Sequence, residues 1–169
     1  MPIFNTRYAL LLGGNLGDVR QAFAAARLAL SDSGHIDIVH ESRIYASEAW
    51  GFSGPDFLNV VLTVDSDWSP ETMLSSTQQI EKDLGRLAKT SSSYESRPVD
   101  IDLLFAVDIP SGKMIVRRSR HLSLPHPRIT LRRFTLLPLA EFWASRSIKH
   151  HPVSYWLDHC PDSGRVWLP

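Results

Sequence analysis

The sequence lacks the features of membrane proteins and of proteins held together by disulfides. No apolar run approaches the roughly 18 to 20 residues that a membrane span needs, and the start of the chain shows no signal-peptide pattern. Cys160 is the only cysteine, which excludes an internal disulfide and fits a reducing compartment. We therefore expect a cytoplasmic protein with no membrane partner.

Acidic residues are also missing from one long part of the chain. None lies between Asp108 and Glu141. The cationic residues in that stretch are Lys113, Arg117, Arg118, Arg120, Arg128, Arg132 and Arg133. The formal net charge of the whole chain is zero, so we expect no nucleic-acid partner. Because arginine grips phosphate oxygens two at a time, the stretch is either a solvated basic face or part of a phosphate site.

Length and composition favour one domain, since the chain has 169 residues of which 43% are hydrophobic. Buried strands are predicted at residues 7–12, 36–45, 57–64 and 99–105, helices after Asp18 and Ser69, and a short apolar helix near residues 139–143. Two strand–helix–strand units in succession favour an α+β sheet with helices packed on one side.

Asp100 and Asp102 are the sharpest chemical feature. Residues two apart on a strand point the same way, and we expect Leu104 to continue that face and Phe105 to lie on the other. Two carboxylates beside buried apolar surface repel each other and are costly to desolvate, and a hard cation removes both problems. Proteins typically hold Mg²⁺ with one or two carboxylates plus substrate phosphates. The alternative is a solvent-facing edge strand with two ordinary acids.

Cationic residues flank this acid pair in the sequence. Arg97 and the acid-free stretch lie next to it, and a metal with convergent arginines is suited to phosphoryl transfer. The polar segment 89–96 is expected to be mobile, and no Walker pattern occurs. His126, between two prolines, is either a phosphate donor or acid/base, or a loop residue bonded to the backbone. The spacing of His150, His151, His159 and Cys160 matches no closed zinc site.

Phe57 and Asn59 share one face of a predicted strand, and Phe134 lies elsewhere in the chain. Two aromatic rings could clamp a flat heterocycle while the amide binds its edge. The alternative is ordinary core packing.

These features occur within an ordered set of motifs. The set consists of LGGNLGD at 12–18, SRIY at 42–45, GPDFLN at 54–59, QQIE at 78–81, LGR at 84–86, RPVDIDLL at 97–104, LPHPR at 124–128 and RRF at 132–134. In this order they resemble the 6-hydroxymethyl-7,8-dihydropterin pyrophosphokinase family, from about residue 10 to residue 139. The resemblance implies a ferredoxin-like α+β sandwich with a mainly antiparallel sheet, as one domain over residues 1–169.

The resemblance also implies an activity. The β,γ-pyrophosphate of ATP would pass to the hydroxymethyl group of the dihydropterin and release AMP, so both partners are small molecules. Two Mg²⁺ ions would be held by Asp100 and Asp102. A monomer is expected.

Residue roles follow from matching positions. Catalytic roles would fall to Arg97, Asp100, Asp102, His126 and Arg132. ATP would be bound by Gln78, Glu81, Arg86, Lys89, Arg97, Leu103, Ser123, His126 and Arg132. The pterin would be bound by Gly13, Asn15, Ser47, Glu48, Trp50, Phe57, Asn59 and Phe134. Phe57 and Phe134 would cover its two faces, and Ser47 and Trp50 would act through their backbone.

The chain departs from the family pattern at several positions. Gly14 replaces a common serine, which reads as a small change, and Glu48 replaces a common proline. Ala88 and the segment 90–96 replace a lid that usually carries arginines and a tryptophan. The alternatives are therefore a degenerate member that binds pterin or nucleotide with little turnover, and a non-enzymatic domain that binds metal or polyanions.

Overall fold

The structure is a computed structural model that describes residues 2–49, 51–85 and 98–169. Its strands are β1 (Thr6–Gly14), β2 (Ile36–Glu41), β3 (Tyr45–Ser47), β4 (Phe57–Ser66), β5 (Asp100–Asp108), β6 (Met114–Ile115), β7 (Arg117–Arg118), β8 (Ser123–Leu124), β9 (Ser147–Ile148), β10 (His151–Pro152) and β11 (Val166–Trp167). Its helices are α1 (Val19–Asp32), α2 (Pro70–Asp83), α3 (Arg133–Trp143) and α4 (Val153–Asp158). None of the described helices is long and apolar enough to cross a membrane.

The fold is built around β1, which lies between β4 and β5 and pairs with both in antiparallel fashion. Within the described residues the central sheet has seven strands, in the order β11-β3-β4-β1-β5-β6, and β2 also pairs with β4. Two strand–helix–strand units interleave in this sheet, and β1 and β4 occupy its centre. This arrangement confirms the predicted ferredoxin-like α+β fold with a mainly antiparallel sheet.

Helices α1 and α2 cover one face of the sheet. The carboxylate of Asp18 accepts a hydrogen bond from the backbone N–H of Gln21 and begins α1, and the Ser69 hydroxyl does the same for Thr72 at the start of α2. The buried side chains of α1 recur at helical spacing, and with Met73 of α2 they pack on alternate residues of β1. They are Val19, Phe23, Ala26 and Leu30, against Tyr8, Leu10 and Leu12.

Helix α3 covers the opposite face, so the prediction of helices on one side only is wrong. Ala9 and Leu11, the intervening residues of β1, pack with Leu136 and Leu139 of this helix. The helix also begins at Arg133 rather than near residue 139. Pro138 lies inside it and is buried. A proline cannot donate to the preceding turn and usually ends a helix, so the pattern before it was hard to recognise as helical.

The face assigned to Phe105 is also wrong, because β5 contains a bulge. Leu103 pairs with Leu10 and Phe105 pairs with Ala9, so Leu104 is an extra residue between two neighbouring pairs. As a result, both Leu104 and Phe105 belong to the core beneath α3. A period of two cannot reveal such an insertion.

The strand predicted at residues 36–45 is divided in two by Ser42. Its backbone N–H donates to the carbonyl oxygen of Val61 at 2.9 Å, and its hydroxyl accepts from the Val61 N–H at 2.9 Å. Because the hydroxyl takes the place of a backbone carbonyl, regular pairing stops there and resumes at Tyr45. The short strand β3 thus starts a new segment that leads to the site.

At Gly14 the backbones of two segments approach each other closely, so glycine in place of serine is not the small change that the sequence suggested. A Cβ atom at this position would overlap the carbonyl oxygen of Pro98 and would lie 3.2 Å from a methyl carbon of Val19. The backbone just before β5 therefore rests directly on β1. A side chain at residue 14 requires that backbone to move.

We expect Gly14→Ser to destabilise the protein by about 1 to 3 kcal/mol, because the overlap is with backbone and not with a flexible side chain. Urea unfolding measures this loss. Gly13→Ala is the matched control, since its Cβ would meet the side-chain oxygen of Asn59 only at 3.4 Å. Equal stability of the two variants would contradict the close approach.

Candidate active site

A pocket opens where β1, β3, β4 and β5 meet the start of α3. Its empty space is about 540 Å³, including the part open to solvent. It is lined by Leu11, Gly13, Ser47, Glu48, Phe52, Phe57, Asn59, Asp100, Asp102, Arg132 and Phe134. The structure thus brings together both acids, both predicted aromatic residues and the predicted amide. Phe52 and Leu11 are the lining residues that sequence reasoning missed.

The apolar part of the pocket comes from rings on separate elements. Phe57 begins β4 and Phe134 lies in the first turn of α3. Phe52 meets Phe57 edge to face, with ring centroids 6.1 Å apart. The guanidinium carbon of Arg132 lies 5.6 Å from the centre of the Phe134 ring, so this ring joins the apolar and cationic parts of the pocket. Phe52 lies in an irregular loop, where no periodicity marks a lining residue.

The polar edge of the pocket is preorganised around Asn59, which is buried. Its amide nitrogen donates to the Ser47 hydroxyl at 2.9 Å and to the Tyr45 carbonyl oxygen at 3.3 Å. Both amide hydrogens are thus used within the protein, and the side-chain oxygen is presented as an acceptor next to Gly13. This edge suits a ligand that carries N–H donors.

Asp100 and Asp102 lie on one face of β5, as their spacing predicts. They are opposite Gly13 and Leu11 of β1, and both line the pocket instead of facing bulk solvent. The residue between them, Ile101, points into the core under α1 and α2. Its backbone N–H donates to the buried carboxylate of Glu81 at 2.7 Å, so a side chain of α2 fixes the backbone of β5 between the two acids. Glu81 therefore helps to fix the position of the acid pair through the backbone that carries it.

His126 is held as a neutral ring. Its backbone N–H donates to the carbonyl oxygen of Leu104 at 2.7 Å, and the Arg128 backbone N–H donates to its Nδ1 at 3.1 Å. Burial and, to a smaller extent, the nearby positive charge of Arg132 together lower the pKa of His126 to about 4, against the opposing effect of the Asp100 carboxylate. Because Nδ1 is an acceptor in a neutral ring, the proton lies on Nε2, which is then a hydrogen-bond donor.

Several predicted residues lie apart from the pocket lining. Gln78 is exposed, and the Leu103 side chain is buried in the core, so Leu103 can offer a ligand only its backbone. Asn15 is buried and donates to the Pro55 carbonyl oxygen at 3.1 Å, which ties β1 to the loop before β4. Ser123 is half-buried in the β7–β8 ladder.

Other predictions fall on residues that the structure does not describe. These are Trp50, Arg86, Lys89, Arg97 and the lid segment 89–96.

The acid-free stretch divides into two groups. Arg132 is buried and lines the pocket, whereas Arg117 forms an ion pair with Glu71 at 2.7 Å on the surface. Arg118 and Arg120 are exposed. The surface arginines therefore fit the first alternative, a solvated basic face, and the phosphate site stays a prediction for Arg132.

The described residues contain no group of three or more His, Cys, Asp or Glu side chains arranged to hold a metal ion. Asp100 and Asp102 are a pair, which matches the donor set of a cation whose other ligands are phosphate and water. Of the histidines that precede Cys160 in the sequence, His151 stacks its ring on that of Tyr155, with centroids 3.9 Å apart.

Comparison with known proteins identifies the family. A statistical description of the 7,8-dihydro-6-hydroxymethylpterin-pyrophosphokinase (HPPK) family matches residues 9–144. The chain belongs to the HPPK family. Two relatives named 2-amino-4-hydroxy-6-hydroxymethyldihydropteridine pyrophosphokinase support this. That of Porphyromonas gingivalis is 38% identical over 134 residues, which is 78% of this chain and 87% of the relative. That of Aquifex aeolicus is 34% identical over 131 residues, 77% of this chain and 76% of the relative.

Solved structures with HPPK in their names share the fold. An HPPK-DHPS protein crystallised with substrates matches 93% of this chain with a TM-score of 0.68 and 11% identity. Wild-type HPPK-DHPS of Plasmodium falciparum matches 92% with a TM-score of 0.66 and 14% identity. This chain spans 43% and 44% of those two chains, so the likeness concerns one part of each.

The depressed pKa of His126 predicts a pH dependence of stability. The folded ring stays neutral down to a pH of about 4, whereas the unfolded ring binds a proton below its ordinary pKa of 6.5. Stability from this group is therefore complete above pH 6.5 and is lost as the pH falls from 6.5 towards about 4. We expect His126→Asn to lose less stability over that interval than the wild type.

Urea unfolding at several pH values, with a chelator present, measures this difference. The exposed His121 gives the control variant His121→Asn, which should follow the wild-type curve. Parallel curves for the wild type and His126→Asn would refute the lowered pKa of this half-buried ring.

Proposed function

We propose that this protein transfers the β,γ-pyrophosphate group of ATP to the hydroxymethyl group of 6-hydroxymethyl-7,8-dihydropterin in folate biosynthesis. The pterin oxygen bonds to the β-phosphorus, the bond from that phosphorus to the AMP oxygen breaks, and the hydroxyl proton passes to solvent. The observation that carries this proposal is one pocket that combines an aromatic pair, a preorganised amide and an acid pair. Family membership supplies the two substrates.

The apolar end of the pocket suits the pterin. Phe57 and Phe134 are positioned to cover its ring faces, and the Asn59 oxygen to accept from its N–H groups. Because Ser47 and Tyr45 already hold the Asn59 amide, little side-chain entropy is lost on binding. The roles of these residues rest on their place in the pocket.

The acidic end suits two Mg²⁺ ions bound together with the phosphates. Asp100 and Asp102 would hold them, since a pair of carboxylates leaves the remaining positions to phosphate oxygens and water. When bound, such ions neutralise charge that develops on the transferred group.

Two hydrogen-bond donors of the chain itself can also stabilise the negative charge of the phosphates. Arg132 reaches the pocket from the start of α3, and its guanidinium can bind two phosphate oxygens at once. His126 lies near enough to Asp100 and Arg132 for their charges to affect its pKa, and its Nε2–H is a hydrogen-bond donor. Catalysis then consists of aligning the two substrates for in-line transfer while preset donors stabilise the charge.

We further propose a single domain over residues 1–169 that acts as a monomer in the cytoplasm. Both cores share the central sheet, which favours one folding unit. The following assay distinguishes the proposed enzyme from a degenerate family member that binds its ligands without turnover.

We expect AMP to form when the protein is mixed with ATP, Mg²⁺ and the hydroxymethyl dihydropterin. Asp100→Asn should reduce kcat by about two orders of magnitude or more, because it removes one charged ligand and its electrostatic contribution. Chromatographic measurement of AMP provides both rates.

Asp37→Asn is the control, since Asp37 is an exposed acid on β2 and should leave turnover unchanged. Absence of pterin-dependent AMP in the wild type would refute the function. Normal turnover by Asp100→Asn would refute the metal site alone.

Removal of either ring should weaken pterin binding. We expect Phe57→Ala and Phe134→Ala each to lose about 1 to 3 kcal/mol of stacking, or roughly 5- to 150-fold in the KM for the pterin. The KM for ATP should change much less. Phe142→Ala is the control, because Phe142 stacks on His40 away from the pocket. An unchanged pterin KM in both ring variants would contradict the clamp.

A further inference from the structure

Residues 162–167 contact two walls of the pocket, one on β3 and one on α3. They lie beyond residue 144, where the family match ends, and no site residue was expected among them. One wall is formed by Ser47 and Glu48 at the end of β3, and the other by Arg132 and Phe134 at the start of α3. We call this segment the bridge.

The first contact of the bridge is with β3. Val166 pairs with Ser47 and Trp167 with Ala46, so β11 extends the central sheet on the side of the pocket. The guanidinium of Arg165 lies 3.1 Å from the carboxylate of Glu48, and it also lies over the Trp167 ring at 5.1 Å. The bridge thereby holds the strand end from which Ser47 and Glu48 enter the pocket.

The second contact is with the first turn of α3. The N-cap residue of this helix is Arg132, and arginine has no side-chain acceptor with which to cap it. The Asp162 carboxylate supplies one from outside the helix, since the Arg133 backbone N–H donates to its Oδ2 at 3.1 Å. Its Oδ1 accepts from the Gly164 N–H at 2.9 Å, which fixes the carboxylate.

The two contacts differ in strength. Arg165 and Glu48 are 76% and 50% exposed, so their ion pair adds little stability by itself. Asp162 places a negative charge at a helix N-terminus, where backbone N–H groups and the helix dipole both favour it. Asp162 is therefore the stronger connection, and Arg165 chiefly sets the alignment of β11 on β3.

We propose that Asp162 and Arg165 are positioning residues that set the separation of the two pocket walls, and with it the affinity for the pterin. This inference rests on the proposed pterin site. It concerns the pterin more than ATP because the bridge holds two parts of the pterin site, namely Ser47, which fixes Asn59, and the turn that carries Phe134. Among the groups proposed to bind phosphate, Arg132 begins that same turn. The acid pair lies on β5, which is held by β1 and Glu81.

The test compares Asp162→Ala with Asp162→Asn, which retains an acceptor oxygen for the Arg133 N–H. We expect Asp162→Ala to raise the KM for the pterin about three- to tenfold and to raise the KM for ATP less, because small displacements of binding groups are costly. Asp162→Asn should recover most of the loss. Asp158→Ala, an exposed acid on α4, is the matched control.

Arg165 provides a second pair of variants whose folding is not in question, because its side chain is exposed. Arg165→Glu places a second carboxylate beside that of Glu48, and this repulsion between β3 and β11 should raise the pterin KM. Arg165→Lys should keep the pterin KM near the wild-type value. Thermal unfolding of every variant identifies any loss of fold. If Asp162→Ala does not fold, the Arg165 pair decides.

The outcomes separate this inference from the proposed function. Pterin KM values within twofold of the wild type in both Asp162→Ala and Arg165→Glu would overturn the inference, as would an equal rise in the two KM values. If the wild type forms no AMP, the function fails, and calorimetric titration of the pterin into the same variants still tests the bridge.

Discussion

The antiparallel pairing of β1 with its two neighbours determines where every other part of the site lies. Gly13 pairs with Asn59 of β4 on one side and with Asp100 of β5 on the other, so one position of β1 sets the amide and the first acid in register. A slip of one residue on either side would turn these side chains to the opposite face. The two cores, one beneath α1 and α2 and one beneath α3, bury both faces of β1 and exclude such a slip.

The polar groups of this site are fixed by hydrogen bonds to other parts of the protein. Glu81 holds the backbone between the two acids, Ser47 holds the Asn59 amide, and the carbonyl oxygen of Leu104 holds the His126 backbone. Each support fixes a group that would otherwise lose conformational freedom when a ligand binds. The pocket is thus largely prepared before either substrate arrives, which suits a reaction whose catalysis depends on alignment and charge.

Sequence patterns predicted the elements that obey a simple period. The helix stripe from Val19 to Leu30 and the common face of Asp100 and Asp102 are two examples. Departures from a period were not predictable: the bulge at Leu104 moved Phe105, and Pro138 hid the first half of α3. Contacts between residues distant in sequence, such as Gly14 with Pro98 and Asp162 with Arg133, carry no local signal at all. The pocket members Leu11 and Phe52 were missed for the same reason.

The bulge in β5 affects which changes of sequence this strand can accept. Leu104 is a residue that the ladder does not need, since Leu103 and Phe105 already pair with consecutive residues of β1. Deleting it would leave the acid pair in register, and likewise the residues at the other end of β5 that pair with β6. Its carbonyl oxygen, however, receives the His126 N–H at 2.7 Å. Removing Leu104 would therefore keep the ladder but would cost this hydrogen bond and a buried side chain of the core beneath α3.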